Sequence, residues 1–300
     1  MSMGDLPLAS AFPSAIEIQT TAACNAGCII CPHSEVWNEG HRGQMDDELF
    51  DKILADCAEY QGNLRLIPYL NAEPLLDAKF SPRVRRINSM VPQAVVELST
   101  NVAILNARIR DELCSVHIHD LRLSVFGFTE ETHRKLMPGL RWPDVWRNLL
   151  DLVQDDRLRK TIDKISLTMI DHPLVPLDEY RAAADLCSRY GLDFNHWDFL
   201  DRSGNVRQFT NNVFHERVAG CGQGRPLQRL HVLFDGRVIL CCQDWRASVV
   251  LGDLRRQSIR EVWHSEAYNR VKRAIYGTDK TEQPEVCLRC KMAVPACSSR

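Results

Sequence analysis

Three cysteines lie within eight positions in the stretch CNAGCIIC, namely Cys24, Cys28 and Cys31. An odd number of thiols does not suit a disulfide framework, and a closed structural zinc site needs four ligands. Thiolates also hold iron–sulfur clusters, and three of them leave one iron of a four-iron cube open. An open metal position binds substrate or cofactor, as catalytic zinc sites do. The alternatives are a chance grouping and a zinc site completed by His33.

A second group of cysteines lies at the far end of the chain. Only Cys57, Cys114 and Cys187 separate the two groups, and their apolar helical positions predict packing roles. In a reducing compartment, twelve cysteines indicate metal binding or catalysis more than disulfides. The distribution therefore predicts two metal-binding regions. The members of the second group are Cys221, Cys241, Cys242, Cys287, Cys290 and Cys297.

Composition and charge narrow the functional class. The chain has 300 residues, of which 45% are hydrophobic, and this is enough for a substantial core. The formal net charge is −2 and the basic residues form no stripe, so we expect no nucleic-acid partner. No stretch reaches the roughly 18 apolar residues that span a bilayer, and the N-terminus lacks signal-peptide features. We therefore expect a cytoplasmic protein with no membrane partner.

Apolar runs that alternate with amphipathic segments must position the first cysteine group. Six β-then-α units predict a parallel sheet, because parallel strands need crossover helices. Six units fall short of a closed eight-unit barrel, so the expected fold is α/β with a partial (β/α)6 barrel. The cysteine loop follows the first strand, at the strand ends where such barrels place their chemistry. The predicted strands are 16–20, 64–70, 94–98, 121–125, 164–170 and 192–199.

Start and stop signals predict several of the connecting helices. Asp46 is a predicted helix cap, and Ser81 is predicted to cap a helix that opens at Pro82. Pro143 is expected to open another helix. A further helix is expected to end at Gly191, because glycine adopts the left-handed conformation that stops helices.

The pattern changes after residue 205. The stretch HVLFDGRVILCC predicts a β-hairpin that turns at Asp235 and Gly236. Ser258 and Glu261 form a predicted capping box for a helix that runs to about Ile275. We therefore divide the chain into a barrel domain over 1–205 and a small hairpin-plus-helix domain over 206–300. A region of this size is poorly stabilised by its core alone, and a metal cluster would stabilise it.

The spacing Cys24-x3-Cys28-x2-Cys31 after a first strand resembles the signature of the radical S-adenosylmethionine (SAM) superfamily. The resemblance implies a [4Fe–4S] cluster whose open iron binds the amino and carboxylate groups of SAM. It further implies reduction by a partner such as flavodoxin or ferredoxin. Cleavage of SAM would then give a 5′-deoxyadenosyl radical that abstracts hydrogen from a substrate.

The same resemblance assigns a set of SAM contacts. Asn71-Ala72-Glu73 occupies the place of the family's Gly-Gly-Glu motif, with both glycines replaced, and Glu73 is expected to bind the SAM amino group. Ser99 and Asn101 match the ribose-contacting segment. The remaining expected contacts are Ser124 at the end of the fourth strand, Arg134 toward the SAM carboxylate, and Ile30, where the family usually has an aromatic residue.

The second cysteine group resembles the auxiliary-cluster domain called SPASM, or its shortened form, twitch. The resemblance implies one auxiliary [4Fe–4S] cluster, because the last cysteines of the full pattern are missing. Its expected ligands are Cys221, Cys241, Cys287 and Cys290. Cys241 is preferred to Cys242 for its spacing from Gly236, since neighbouring strand residues point to opposite faces. The alternative for this region is a zinc ribbon.

Three further residues are candidates for contact with the substrate. Cys242 and Cys297 lie beside the expected auxiliary site without a ligand role, and either is a candidate hydrogen-atom donor or an idle thiol. Asp198 ends the sixth predicted strand on the active face and is a candidate hydrogen-bond partner for a polar substrate.

Three functions are compatible with these residues. The layout resembles twitch-type dehydrogenases and epimerases that act on sugars or aminocyclitols, so we expect a small-molecule oxidoreductase or epimerase. Modification of a ribosomal peptide is the alternative, weakened because only about fifteen residues precede the first predicted strand. The third possibility, a degenerate cluster protein that carries electrons, is disfavoured because Glu73 and the three-cysteine loop are both present.

Overall fold

The computed structural model describes residues 10–36, 42–206, 213–277 and 281–296. Six parallel strands alternate with helices over the first two thirds of the chain. These strands are β1 (Ala15–Ile18), β2 (Arg65–Ile67), β3 (Val95–Thr100), β4 (Ile118–Ser124), β5 (Ile162–Ile170) and β6 (Asp193–Trp197). The helices among them are α1 (His33–Val36), α2 (Asp47–Ala58), α3 (Phe80–Met90), α4 (Ala107–Leu113), α5 (Glu130–Leu136), α6 (Trp142–Val153) and α7 (Leu177–Tyr190).

The six strands pair in chain order, each parallel to the next. Their apolar side chains and the inner faces of the helices form one large core. Because every connection crosses over through a helix or loop on one side, the carboxyl ends of the strands meet along a single edge. The predicted α/β partial barrel is confirmed, and this edge carries the candidate site.

The C-terminal region extends the same sheet. Its strands are β7 (Val218–Cys221), β8 (Arg229–Val232), β9 (Arg237–Ile239), β10 (Val250–Asp253) and β11 (Ala293–Pro295). The predicted hairpin turn joins β8 to β9, and β8 pairs in parallel with β1, which places the hairpin against the barrel. Strand β7 pairs separately with β11. Its helices are α8 (Arg225–Gln228), α9 (Ile259–Trp263), α10 (Glu266–Ile275) and α11 (Glu285–Leu288).

Two expected helices differ from the structure. The helix predicted from Ser258 to Ile275 is broken into α9 and α10, because the Ser265 hydroxyl accepts a hydrogen bond from Tyr268 N and caps a new helix. Helix α3 begins at Phe80 and has Lys79 at its cap position, so the prediction of Ser81 as the cap is wrong.

The other start and stop signals are confirmed. Asp46 caps α2 through Leu49 N, and proline lies in the first turn of α6. Gly191 ends α7 with φ of 65°. No helix within the described ranges is long and apolar enough to cross a membrane.

Candidate active site

The three-cysteine loop follows β1 and is held against the segment that joins α5 to α6. Gly27 N donates to Pro138 O at 2.7 Å, and Ile29 N donates to Leu136 O at 3.0 Å. Gly139, with φ of 91°, lies against the loop, since a β-carbon added there would come within 3.2 Å of Asn25 O. These contacts with residues outside the loop help to fix the backbone conformation of the loop.

The three thiols of the loop lie close enough together to affect one another's pKa. Burial, together with the neighbouring Glu73 and Cys31, raises the pKa of Cys24 to about 12. The pKa of Cys28 is raised well above its usual value by burial and by the other two thiols. Three thiolates at such a place need a bound cation, because metal ligation is what offsets their burial and mutual repulsion. This donor set fits the expected cluster, and Ile30 is buried beside it.

The loop after β2 provides a second edge of the site. Asn71 adopts φ of 53°, a conformation that favours glycine and that asparagine tolerates best among other residues. This explains how Asn71 replaces the first glycine of the family motif. Glu73 N donates to Ala23 O at 2.9 Å and ties the segment to the cysteine loop. The Asn71 amide nitrogen Nδ2 is buried without a hydrogen-bond partner among the described residues, so a donor is available beside the expected SAM position.

Glu73 itself is turned toward the protein. Its carboxylate accepts hydrogen bonds from Thr100 Oγ1 and Asn101 N, both at 2.8 Å, and from Leu75 N at 3.2 Å. Burial raises its pKa to about 7 despite these donors. Asn71 and Ala72 line the neighbouring cavity, whereas Glu73 is only 2% exposed and does not. Glu73 therefore joins the ends of β2 and β3 and supports the cavity wall.

A cavity of about 610 Å³ opens at the carboxyl ends of the strands. Cys24 and Cys31 lie on one side of it, and Cys242 lies on the wall formed by the C-terminal region. The hydroxyls of Ser99 and Ser124 face each other across β3 and β4 at 3.1 Å, and both line the cavity. The structure thus brings the cysteine loop and the predicted strand-end serines to one space.

A charged layer that the sequence did not predict forms part of the cavity lining. Arg122 donates to Glu97 at 2.6 Å and to Asp120 at 2.8 Å, and its guanidinium lies 5.5 Å from the centre of the Trp197 ring. The alternation of side chains along a strand could have indicated this layer. Glu97 lies two positions before Ser99 on β3, and Arg122 lies two positions before Ser124 on β4, so each pair shares a face.

The opposite wall comes from β1, β8 and α8. Glu17 accepts a hydrogen bond from Arg229 at 2.9 Å and lies 3.7 Å from Arg225. Arg225 Nη1 donates to Cys242 Sγ at 3.0 Å. His231 is fully buried, with Nε2 at 3.4 Å from Glu17 Oε1. The pairing of β8 with β1 creates this wall, and hairpin signals alone did not reveal it.

The auxiliary cysteines form two neighbouring sets. Cys221 ends β7 and pairs with Ala293 of β11, while Cys287 and Cys290 lie in and just after α11. Burial raises the pKa of the Cys287 thiol, and the nearby thiols of Cys290 and Cys221 raise it further. These three cysteines therefore lie close together. The ligand atoms of Cys241, Cys242 and His231 lie within 4.8 Å of one another. The expectation that Cys241 and Cys242 point to opposite faces is therefore wrong, because both follow β9 and neither lies in a strand.

Several predicted contacts lie elsewhere. Arg134 is exposed on α5 and does not line the cavity, because the face of α5 that packs inward carries Thr132, His133 and Leu136. Arg202, to which no sequence signal pointed, lines the cavity instead. It acts electrostatically on Cys31 and lowers the pKa of that thiol, against the larger effect of burial.

The other predicted residues have clear positions. The amide of Asn101 donates to Asn25 Oδ1 at 2.7 Å and so braces the cysteine loop, and Asn101 does not line the cavity. Asp198 is exposed at the cavity rim. The ring of His33 is hydrogen-bonded to Ala22 O at 2.9 Å. The prediction for Cys297 lies outside the described residues.

The profile of the radical SAM superfamily matches residues 18–193, more than half of the chain. The chain belongs to the radical SAM superfamily. A profile of SPASM, an iron–sulfur cluster-binding domain, matches residues 221–291. These matches confirm the family expected from the cysteine spacing. They also support an iron–sulfur cluster with SAM and an auxiliary iron–sulfur domain in this radical SAM protein.

Individual proteins resemble the chain only distantly. The S-adenosyl-L-methionine-dependent 2-deoxy-scyllo-inosamine dehydrogenase of Niallia circulans is 20% identical over 277 residues, which cover 92% of each protein. The crystal structure of BtrN in complex with AdoMet and 2-DOIA matches with a TM-score of 0.64 at 17% identity, covering 93% of this chain and 92% of BtrN. Streptococcus suis SuiB bound to precursor peptide SuiA matches with a TM-score of 0.68 at 13% identity, covering 94% and 70%. These structural matches show the fold.

Proposed function

We propose that this radical SAM enzyme abstracts a hydrogen atom from a carbon of a sugar or aminocyclitol-type small molecule, with dehydrogenation or epimerisation as the outcome. The observation that carries the proposal is the cavity between the cysteine loop and Cys242. SAM and the substrate would share its volume of about 610 Å³, which favours a small substrate. Ser99 and Ser124 would face the ribose of SAM, and the Thr168 hydroxyl, also in the lining, suits a substrate that carries hydroxyl groups. The distant dehydrogenase relative supports the same reading.

Cys24, Cys28 and Cys31 would hold the cluster that binds SAM. When bound, the cluster and SAM together would supply a 5′-deoxyadenosyl radical that takes a hydrogen atom from the substrate. Asn71 and Ala72 would face the methionine end of SAM, while Glu73 holds their loop through Thr100 and Asn101. Ser99 and Ser124 would face the ribose end.

Arg202 would take the role that the family resemblance assigned to Arg134. A guanidinium suits the SAM carboxylate because it donates two parallel hydrogen bonds. Arg202 lines the cavity together with Cys31, whereas Arg134 is exposed on the outer face of α5. The backbone of Arg202 is left-handed, with φ of 53°, and its buried Nε has no hydrogen-bond partner among the described residues.

The C-terminal region would hold one auxiliary [4Fe–4S] cluster through Cys221, Cys241, Cys287 and Cys290. The supporting observation is that the pairing of β7 with β11 brings Cys221 to the segment that carries Cys287 and Cys290. Four protein ligands close a cluster, which suits electron transfer rather than substrate binding. A flavodoxin or ferredoxin would supply the reducing electrons.

The outcome of the reaction depends on the fate of the substrate radical. In epimerisation the thiol of Cys242 would give its hydrogen atom to the opposite face of the carbon and leave a sulfur-centred radical on Cys242. In dehydrogenation the substrate radical would instead pass one electron to the auxiliary cluster, which Cys221, Cys241, Cys287 and Cys290 would hold, and a base would take the hydroxyl proton. Cys242 lies on the cavity wall opposite the cysteine loop, and Asp198 lies at the rim, where it would hydrogen-bond the substrate.

The first experiment measures 5′-deoxyadenosine formed by the reduced, reconstituted protein with each of a panel of sugars, aminocyclitols and peptides. We expect sugars or aminocyclitols to raise its formation above the substrate-free rate. The product is then analysed after reaction in D2O. One deuterium at an inverted carbon, lost in Cys242→Ala, indicates epimerisation, and an oxidised product indicates dehydrogenation.

The peptide alternative predicts the opposite selectivity in the same panel. Stimulation by peptides, with none by sugars or aminocyclitols, would favour peptide modification. Absence of 5′-deoxyadenosine with every compound, in protein shown to contain its clusters, would contradict radical chemistry altogether.

A further inference from the structure

The Glu97 carboxylate in the cavity lining and the neighbouring Asp120 already have cationic partners, whereas Asp198 lies at the exposed rim. Glu97 is bound by Arg65 at 2.9 Å and by Arg122 at 2.6 Å, and Arg122 is in turn paired with Asp120. This layer carries two guanidiniums and two carboxylates, so its charges balance. No carboxylate in it is left to receive a cationic substrate group.

The wall beside Cys242 has an unbalanced charge. Glu17 is its single carboxylate, and Arg229 occupies it at 2.9 Å. Arg225 lies farther from the same oxygen, at 3.7 Å, and its short contact is to Cys242 Sγ at 3.0 Å. The remaining guanidinium nitrogens of Arg225 have no hydrogen-bond partner among the described residues. Two permanently charged arginines therefore share one carboxylate, which also lies 3.4 Å from the buried His231.

Burial makes this imbalance significant. The side chain of Arg225 is 21% exposed and that of Glu17 is 10% exposed, and the exposed part of Arg225 faces the cavity. A charge withdrawn from water needs a partner of opposite sign, since the loss of hydration is otherwise uncompensated. The unpaired donors of Arg225 are available to a molecule that fills the cavity.

We propose that the substrate carries an anionic group, a carboxylate or a phosphate, which binds Arg225 beside Cys242. A guanidinium binds either oxyanion through two parallel hydrogen bonds. Since Arg225 Nη1 lies 3.0 Å from Cys242 Sγ, an anion held there brings the carbons next to it close to this thiol. The proposal rests on the proposed small-molecule function and specifies its substrate class: acidic or phosphorylated sugars rather than simple aminocyclitols.

A competing role for Arg225 is to balance the charge of the auxiliary thiolates. Cys242 and the expected auxiliary ligands Cys241 and Cys221 all act on the Arg225 guanidinium electrostatically and raise its pKa. In that role Arg225 would affect retention or potential of the auxiliary cluster without affecting the choice of substrate. The two roles are separable by experiment.

The test measures binding to the SAM-loaded, reconstituted protein by calorimetry, without turnover. Four matched probes differ in a single group: glucose, glucose 6-phosphate, glucuronate and glucosamine. We expect at least one anionic probe to bind about tenfold or more tightly than glucose, as a charge-assisted bidentate contact predicts, and glucosamine to bind no better than glucose. The two anionic probes distinguish phosphate from carboxylate recognition.

Variants test whether Arg225 causes the preference for anionic probes. Arg225→Gln should abolish it, and Arg225→Lys should retain part of it because the charge remains. Arg246→Gln, at an exposed arginine of the neighbouring loop, should leave it unchanged. Iron content and the electron paramagnetic resonance spectrum of each variant report whether the auxiliary cluster is intact.

Three results would overturn the proposal. The first is equal binding of all probes, which includes no measurable binding of the anionic ones. The second is a preference for glucosamine. The third is an anion preference that survives in Arg225→Gln. Formation of 5′-deoxyadenosine from SAM tests the proposed function separately, so a radical enzyme without anion preference is recognised as such.

Discussion

The two cysteine regions differ in how the chain brings their thiols together. Cys24, Cys28 and Cys31 lie in one loop, and their spacing alone places them near one another. Cys221 and Cys290 are far apart in sequence, and the pairing of β7 with β11 brings them together. The first set depends on local backbone shape, and the second depends on tertiary structure. We therefore expect the two regions to respond differently to the same kind of change.

The largest effect is expected from removal of the first set. Replacing Cys24, Cys28 and Cys31 by alanine should abolish formation of 5′-deoxyadenosine, because no other residues of the loop can hold the cluster. The auxiliary iron should remain, since its ligands belong to the other region. Iron and sulfide analysis and a SAM cleavage assay measure both effects. The buried Cys57→Ala is a matched control, and unchanged cleavage in the triple variant would refute the assignment.

Removal of the second set should act on folding as well as on chemistry. Cys287→Ala combined with Cys290→Ala should remove about half of the bound iron, if each region holds one cluster of equal size. The C-terminal region should lose stability, because metal binding contributes to folding free energy. Substrate-free SAM cleavage should persist. Limited proteolysis and iron analysis test this, and full iron content in the double variant would show that these cysteines are not ligands.

Acid should destabilise the barrel region through His133. This residue is fully buried on α5, and burial lowers its pKa to about 4. The unfolded chain, with a pKa near 6.5, binds the proton first as the pH falls, so stability decreases from about pH 6.5 toward 4. The contribution lost between pH 7.5 and 5 is about 2 kcal/mol.

Urea unfolding of the wild type and His133→Leu at both pH values measures the His133 contribution. The variant should lose less stability than the wild type over the same interval. An equal loss in both proteins would exclude His133 as the cause.

A smaller effect is expected from replacing one left-handed glycine in each region by alanine. Gly139, beside the cysteine loop, and Gly277, after α10, have φ of 91° and 76°. Alanine at either position should cost about 1–2 kcal/mol, because left-handed backbone is unfavourable for residues with a β-carbon. Gly277 has open space around its β-carbon position, whereas at Gly139 that position lies 3.2 Å from Asn25 O.

Only Gly139→Ala should therefore also reduce iron retention in the first region. Thermal unfolding measures the loss of stability in the two variants, and iron analysis measures their iron retention. Equal iron retention would show that the contact with Asn25 does not shape the cysteine loop.

Some features of this protein follow from short stretches of sequence. The three-cysteine loop, the hairpin at Asp235 and Gly236, the stop at Gly191 and the alternation of strands with helices along the chain depend on neighbours within a few residues. Such signals are readable because local backbone geometry and side-chain period determine them. They were sufficient to indicate the family and the partial barrel.

The tertiary structure decided which charged residues face the cavity. Arg122, Arg202 and Arg225 line it and Arg134 does not, although all four are arginines in unremarkable surroundings of the sequence. Their positions depend on strand register and on the pairing of β8 with β1, which join residues far apart in the chain. Sequence alone indicated the chemistry of the first cysteine region, because its three thiols are closely spaced in one loop. The charge and shape of the substrate cavity depend on long-range packing, and only the fold decides that.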